Sequence, residues 1–321
     1  MNTFGAYKDA KVSGNLKYNS KVSGIDFKKI TIETTNLCKY TCEMCPREKM
    51  TRNQGIMTME DFQLVLDRLK EYIEETQRPQ PFASEFSLLG YGEPLFDPNL
   101  AAKSALVTEQ FPSSLTSIHS TMGVPRTEAY LEKLLVEAKF KLIVVSFYGF
   151  QEATYNFVHK DGSFETAKKN LKHLALINKS LGSPCTILLQ LLNPLTQAVI
   201  DKNPLEKAAF DELMAFLEPL GVGLYKLDLH NFGNGREYFD AEMVASVCSV
   251  VDGDRRRELN VTWDLEIVPC CLDFNSDIVL GDLREQTIFE IYQGEKYQKF
   301  IAAHSDGNLD DYPVCKGCNI R

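Results

Sequence analysis

Apolar positions along the chain recur with two alternating periods. Short runs rich in Ile, Val, Leu and Phe predict strands at residues 29–33, 86–89, 115–120, 142–147, 186–192 and 223–229. Between them apolar residues return every three or four positions, as at Phe62, Val65, Leu66, Leu69 and Ile73. That period predicts helices at 59–75, 98–110, 127–138, 164–181 and 205–217. Strands alternating with helices imply parallel pairing through right-handed crossovers. Eight such units close a barrel, whereas six leave it open. The expected fold class is α/β, a partial (βα)6 TIM-like barrel followed by a small α+β domain.

The alternation stops after residue 236. Beyond it lie short candidate strands at 261–263, 266–268 and 278–280 and a helical pattern over 288–303. The expected division is an N-terminal arm over 1–27, a core barrel over 28–239 and an auxiliary domain over 240–321. Parallel barrels carry their sites at the C-terminal ends of the strands. Polar and glycine-rich segments fall there, at 34–45, 90–94, 121–123, 148–149 and 230–236.

Composition narrows the function. Asp and Glu number 44 against 35 Lys and Arg, a net charge of −9 over 321 residues. That balance speaks against nucleic acid as a partner, since such binding relies on phosphate neutralisation. No apolar run reaches the length of a membrane span, and the polar start of the chain lacks the apolar centre of a signal peptide. A cytoplasmic protein without a membrane partner is expected. Nine cysteines in such a compartment point to metal or redox chemistry rather than disulfides. Eight of them cluster, as Cys38, Cys42 and Cys45, then Cys248, Cys270 and Cys271, then Cys315 and Cys318, with Cys185 apart.

Cys38, Cys42 and Cys45 follow directly on the first strand. Three thiolates on one loop suit a small polynuclear centre and are one short of the four that a cubane takes. The position left open is where a small molecule coordinates. A zinc knuckle is the alternative, but it needs a fourth ligand, and no other His or Cys lies between residues 10 and 118.

This C-x3-C-x2-C spacing after the first strand of a βα barrel resembles the radical S-adenosylmethionine (SAM) enzymes. The resemblance runs over residues 28–235. Gly90-Tyr91-Gly92-Glu93-Pro94 stands where that family has a glycine-rich stretch, which implicates Gly92 and Glu93 in holding the amino group of SAM. Thr121-Met122-Gly123 stands where many members carry T-N-G, and Met122 departs from that pattern. Ser146 and Gln190 match positions that bind the carboxylate and ribose, and Met44 takes the place of an aromatic beside the adenine. His230 and Arg236 open the loop after the sixth strand, and with Tyr148 they are candidate catalytic residues facing the substrate. His119, His159, His173 and His304 read as surface or core residues, and Cys185 as a buried small hydrophobe.

Residues 248–318 resemble the SPASM/twitch extension of the same family, in its shorter form. Cys248, Cys270, Cys315 and Cys318 are the implied ligands of one auxiliary [4Fe–4S] cluster; a tetrathiolate zinc site is the alternative. The family places a glycine five residues before the second ligand. Leu265 stands there, which leaves open the hairpin and the choice between Cys270 and Cys271. The implied cofactors are two [4Fe–4S] clusters and SAM, served by an external electron donor such as flavodoxin or ferredoxin. The implied activity is reductive SAM cleavage to a 5′-deoxyadenosyl radical that abstracts hydrogen from an unactivated carbon. The short auxiliary domain favours an oxidoreductase acting on a sugar or aminocyclitol as small-molecule substrate. The alternative is a maturase that epimerises or crosslinks a precursor peptide.

Overall fold

Strands β1 (Lys29–Ile32), β2 (Glu85–Ser87), β3 (Leu115–Ser120), β4 (Leu142–Ser146), β5 (Thr186–Asn193) and β6 (Gly223–Asp228) lie side by side in chain order, all parallel. The computed structural model describes residues 24–78, 82–233, 235–236, 248–252 and 254–319. β6 ends the sheet and does not pair with β1, so the barrel is open, as six units require.

Helices α1 (Met59–Thr76), α2 (Leu100–Gln110), α3 (Glu128–Val136), α5 (Phe164–Ser180) and α7 (Pro204–Leu217) cross over between these strands. The Thr58 hydroxyl caps α1 by accepting from the Asp61 amide. Its stripe of Phe62, Val65, Leu66, Leu69 and Tyr72 is buried against the sheet side of the core. Two further helices, α4 (Glu152–Val158) and α6 (Leu195–Lys202), escape the sequence pattern. Each has about two turns, too few to repeat a period. Each also exposes large apolar side chains, Phe157 on α4 and Leu195 and Val199 on α6, which blurs the amphipathic signal.

The C-terminal residues build onto the barrel sheet itself. β7 (Glu258–Val261) pairs parallel with β1, setting Asn260 beside Thr31. β8 (Glu266–Val268) and β9 (Gly281–Asp282) follow antiparallel, completing a nine-stranded sheet. The strand expected at 278–280 therefore lies later, because the Ile278 amide donates to the Asp273 carboxylate instead of a ladder. α8 (Ser249–Asp252) is a single turn. The helix expected over 288–303 is two, α9 (Ile288–Gln293) and α10 (Glu295–Asp306), because Gly294 between them is extended. A last turn, α11 (Pro313–Lys316), carries Cys315.

The expected boundary at 239/240 lies outside the described residues, as does the arm up to residue 23. The end of that arm is core: Phe27 packs on Tyr72 of α1, on Phe82 and on Tyr292 of α9. Among the described residues no helix is long and apolar enough to cross a membrane.

Candidate active site and metal centres

A cavity of about 680 Å³ runs through the barrel interior, from the loops that follow the strands down to Lys29 and Glu258. Cys38, Cys42, Met44 and Cys45 line it from the loop after β1, Gly92 and Glu93 from the loop after β2, and Thr121 from the loop after β3. Ser146 and Gln190 on β4 and β5 join them, with Tyr148 and His230 from the loops after β4 and β6. Residues more than 200 positions apart in sequence, such as Lys29 and Glu258, thus face one space.

Arg236 is the exception. It does not line the cavity; its guanidinium donates to the carbonyls of Cys42 and Cys45 and pairs with Glu48. It braces the thiol loop from behind instead of facing a substrate. Asn36 closes the same loop from the other end, donating to the Asn53 carbonyl at 2.8 Å and accepting from the Gly55 amide at 2.8 Å.

Burial pushes the Cys38 thiol up to about 12 and raises Cys42 and Cys45 as well, with repulsion from neighbouring thiolates adding at Cys42. Three half-buried thiols that resist ionisation are unfavourable as free thiolates. A positively charged iron core offsets both burial and mutual repulsion, so this donor set fits a cluster. Among the described residues no three His, Cys, Asp or Glu side chains gather closely enough to hold a single metal ion.

Glu93 is fully buried and held by four donors. Ser120 Oγ (2.6 Å) and the Leu95 amide (3.2 Å) donate to Oε1, and the Thr121 amide and hydroxyl (both 2.8 Å) to Oε2. Burial raises its pKa against the pull of these bonds. The carboxylate is a fixed acceptor at the cavity wall, suited to an ammonium. Gly92 beside it is obligatory, since a Cβ there would lie 2.3 Å from the Thr35 carbonyl oxygen. Met122, which departs from the family's asparagine, takes the left-handed conformation (φ 53°) that asparagine tolerates best. Its carbonyl accepts from the Asn170 amide at 2.8 Å, which holds the turn.

Gln190 Oε1 accepts from Ser146 Oγ at 3.0 Å and Tyr148 Oη at 2.5 Å. With the oxygen occupied, the amide must present its NH₂ to whatever binds beside it. The Tyr148 ring stacks on His159 at 4.8 Å and 13°. His159, read from sequence as a surface or core residue, also lines the cavity, with Nδ1 3.5 Å from Cys42 Sγ. Burial drives its pKa down to about 3, so the ring is neutral. His119 lines the cavity too; burial first, then Lys29, lowers it to about 4.

A second, small and apolar cavity is lined by Cys248, Cys270, Cys315 and Cys318 together with His304. Cys270 belongs to both cavities, whereas the exposed Cys271 lines only the larger one. Cys185, just before β5, lines neither and is buried. The hairpin left open by Leu265 forms nonetheless: Leu265 adopts φ 71°, its amide donates to Thr262, and its side chain is fully buried. Side-chain burial offsets a left-handed cost of about 1–2 kcal/mol.

The loop after Cys271 is latched to the barrel. Arg52 forks onto Glu33 at 2.6 and 2.7 Å and donates to the Phe274 carbonyl, while Glu33 also accepts from the amides of Tyr91 and Trp263. Tyr91 Oη donates to the Cys271 carbonyl at 2.8 Å. Arg52→Leu leaves Glu33 buried without its partner and is expected to cost about 3–5 kcal/mol, read from denaturant unfolding of the variant.

Comparison with known proteins gives one family match, the SPASM iron–sulfur cluster-binding domain, over residues 253–319. The S-adenosyl-L-methionine-dependent 2-deoxy-scyllo-inosamine dehydrogenase of Niallia circulans is 23% identical, over 91% of this chain and 93% of its own. Among solved structures, BtrN in complex with AdoMet and 2-DOIA aligns with a TM-score of 0.57 and 22% identity, over 91% of this chain and 93% of that one. anSMEcpe with bound AdoMet and the Cp18Cys peptide aligns with a TM-score of 0.57 and 17% identity, over 90% and 88%. The chain shares the fold of both.

Proposed function

We propose that this radical SAM enzyme, a partial barrel joined to a SPASM-type auxiliary domain, oxidises a hydroxyl-bearing ring such as a sugar or aminocyclitol. The observation that carries the reading is the pair of adjoining thiol-lined cavities that share Cys270. Cys38, Cys42 and Cys45 hold one [4Fe–4S] cluster with an open position, and Cys248, Cys270, Cys315 and Cys318 hold the other. When bound, SAM on the first cluster would supply hydrogen-atom abstraction from the carbon bearing the hydroxyl, and the second cluster would accept one electron; with the hydroxyl proton released to water, the sum is alcohol oxidation.

The chain's own residues bind and orient. Glu93 holds the SAM ammonium, the Gln190 amide donates to its ribose or carboxylate, and Met44 lies beside the adenine. The Arg52–Glu33 latch and Tyr91 close the auxiliary loop over the cavity and exclude water. The cavity volume lies within the range of small-ligand sites. The barrel core extends over 28–239 and the auxiliary domain over 240–321. An external donor of the flavodoxin or ferredoxin type works with it in the cytoplasm.

The test is anaerobic reconstitution followed by incubation with SAM, reductant and 2-deoxy-scyllo-inosamine or related cyclitols. Matched yields of 5′-deoxyadenosine and ketone are expected. A ketone never formed from any cyclitol or sugar, with 5′-deoxyadenosine released only on adding peptides, would favour the second reading. That reading, a peptide maturase, draws support from the likeness to the peptide-bound structure. Glu93→Gln removes the charge and is expected to weaken SAM binding by about 1.5–3 kcal/mol, measured by titration of the reconstituted protein. Unchanged affinity would move the SAM ammonium away from Glu93.

A further inference from the structure

Cys42 sits in a bracket formed by two chain segments 117 residues apart. The Thr41 amide donates to the Lys160 carbonyl at 3.2 Å, and the Glu43 amide to the Val158 carbonyl at 2.9 Å. These two bonds hold the segment around Cys42 against the end of α4, which brings Cys42 beside His159. Thr41 Oγ1 reinforces the bracket by donating to Asp161 Oδ2 at 2.8 Å, and Lys160 pairs with Glu43. The result is a contact of 3.5 Å between His159 Nδ1 and Cys42 Sγ, set by backbone register and not by side-chain freedom alone.

The ring is held flat against Tyr148 and packs on Tyr155 at 4.5 Å. His159 Nε2 is buried with no hydrogen-bond partner among the described residues. A neutral imidazole carries one N–H. A proton on Nε2 would be buried without an acceptor and would turn the Nδ1 lone pair towards a thiolate. A proton on Nδ1 meets the thiolate as a donor. The second arrangement satisfies the N–H and avoids lone-pair repulsion at the thiolate, leaving only an acceptor unfilled at Nε2.

We infer that His159 donates an Nδ1–H···Sγ hydrogen bond to the cluster thiolate of Cys42 and raises the reduction potential of the SAM-binding cluster. The inference rests on the reading of Cys38, Cys42 and Cys45 as ligands of that cluster. Hydrogen bonds to cluster sulfur are one of the protein's levers on potential, because they stabilise the more electron-rich, reduced state. His159 is a positioning residue here; it touches the ligand, not the substrate. A site that must pass an electron into SAM needs a potential set by such means, and beside the backbone amide of Cys42 itself the His159 imidazole is the side-chain group within hydrogen-bond distance of Cys42 Sγ among the described residues.

The experiment compares wild type, His159→Phe and His159→Asn, each reconstituted in the full chain. Phe keeps a flat ring without a donor; Asn keeps an N–H at the position of Nδ1. The readout is the midpoint potential of the SAM-binding cluster by EPR-monitored redox titration at matched iron content. His159→Phe is expected to shift the potential negative by about a tenfold change in the one-electron equilibrium, 59 mV. His159→Asn is expected to restore it. A potential unchanged in His159→Phe, or shifted equally in both variants, overturns the inference. Wild-type protein with 15N-labelled histidine gives a check that needs no variant: the reduced cluster should show a coupled histidine nitrogen, and its absence overturns the hydrogen bond. Wild-type protein that assembles no cluster at Cys38, Cys42 and Cys45 overturns the reading of the site itself, a distinct failure.

Discussion

Cys42→Ala is expected to abolish 5′-deoxyadenosine release and to remove about four of about eight iron atoms per reconstituted chain. Cys38, Cys42 and Cys45 line the large cavity from one loop, and a cubane with three protein ligands has none to spare. The loss should be confined to this centre, because Cys248, Cys315 and Cys318 line a separate cavity. The fold should persist, because the loop is held by bonds that do not involve the thiol. Asn36 anchors one end, and Arg236 grips the Cys42 and Cys45 carbonyls. Iron and sulfide assays with chromatography of the SAM products check this. Stoichiometric zinc with no iron uptake in wild type would replace the radical reading with a structural one.

The parts of this site that are local in sequence were legible there. Cys38, Cys42 and Cys45 fall within eight residues, and their spacing on a post-strand loop carries meaning without any fold. Strands β4 and β5 were legible because buried parallel strands read as apolar runs, whereas β6, largely exposed at the open edge, was legible from its place in the alternation. What was hidden depends on distant register. His159 faces Cys42 only because the end of α4 pairs with the thiol loop, and α4 itself is too short to leave a period. The loop position of Arg236 suggests a rim residue, but its guanidinium packs onto the backbone of the thiol loop. The two departures from the family pattern, Met122 and Leu265, share one physical answer. Both occupy left-handed backbone positions, and both are fully buried. Packing there substitutes for the conformational ease of asparagine or glycine, which no propensity scale reveals.

Cys315→Ala is expected to uncouple the two half-reactions: SAM cleavage continues, while oxidised product falls by an order of magnitude or more. Cys315 lies on α11 and lines the small cavity with Cys248, Cys270 and Cys318; none of the first three thiols does. Abstraction of hydrogen needs only the barrel site, but completing an alcohol oxidation needs somewhere for the second electron to go. Without the acceptor the substrate radical is quenched or returned, so 5′-deoxyadenosine accumulates over ketone. A metal centre also contributes folding energy, so collapse of the domain is the competing outcome. The latch argues for survival of the domain's edge, since Arg52, Glu33, Tyr91 and Asn275 tie the loop after Cys271 to the barrel through contacts independent of any metal. About four remaining irons and a cooperative thermal transition would show that the barrel is intact. A soluble variant that still makes ketone in step with 5′-deoxyadenosine would remove the auxiliary centre from the electron path. Redox-neutral chemistry such as epimerisation would then become the better reading. That chemistry needs a hydrogen atom returned from a thiol within reach. Of the two spare cysteines, Cys271 is exposed and lines the large cavity, while Cys185, just before β5, is buried away from it. Cys271→Ser, not Cys185→Ser, would then be the variant that stops turnover.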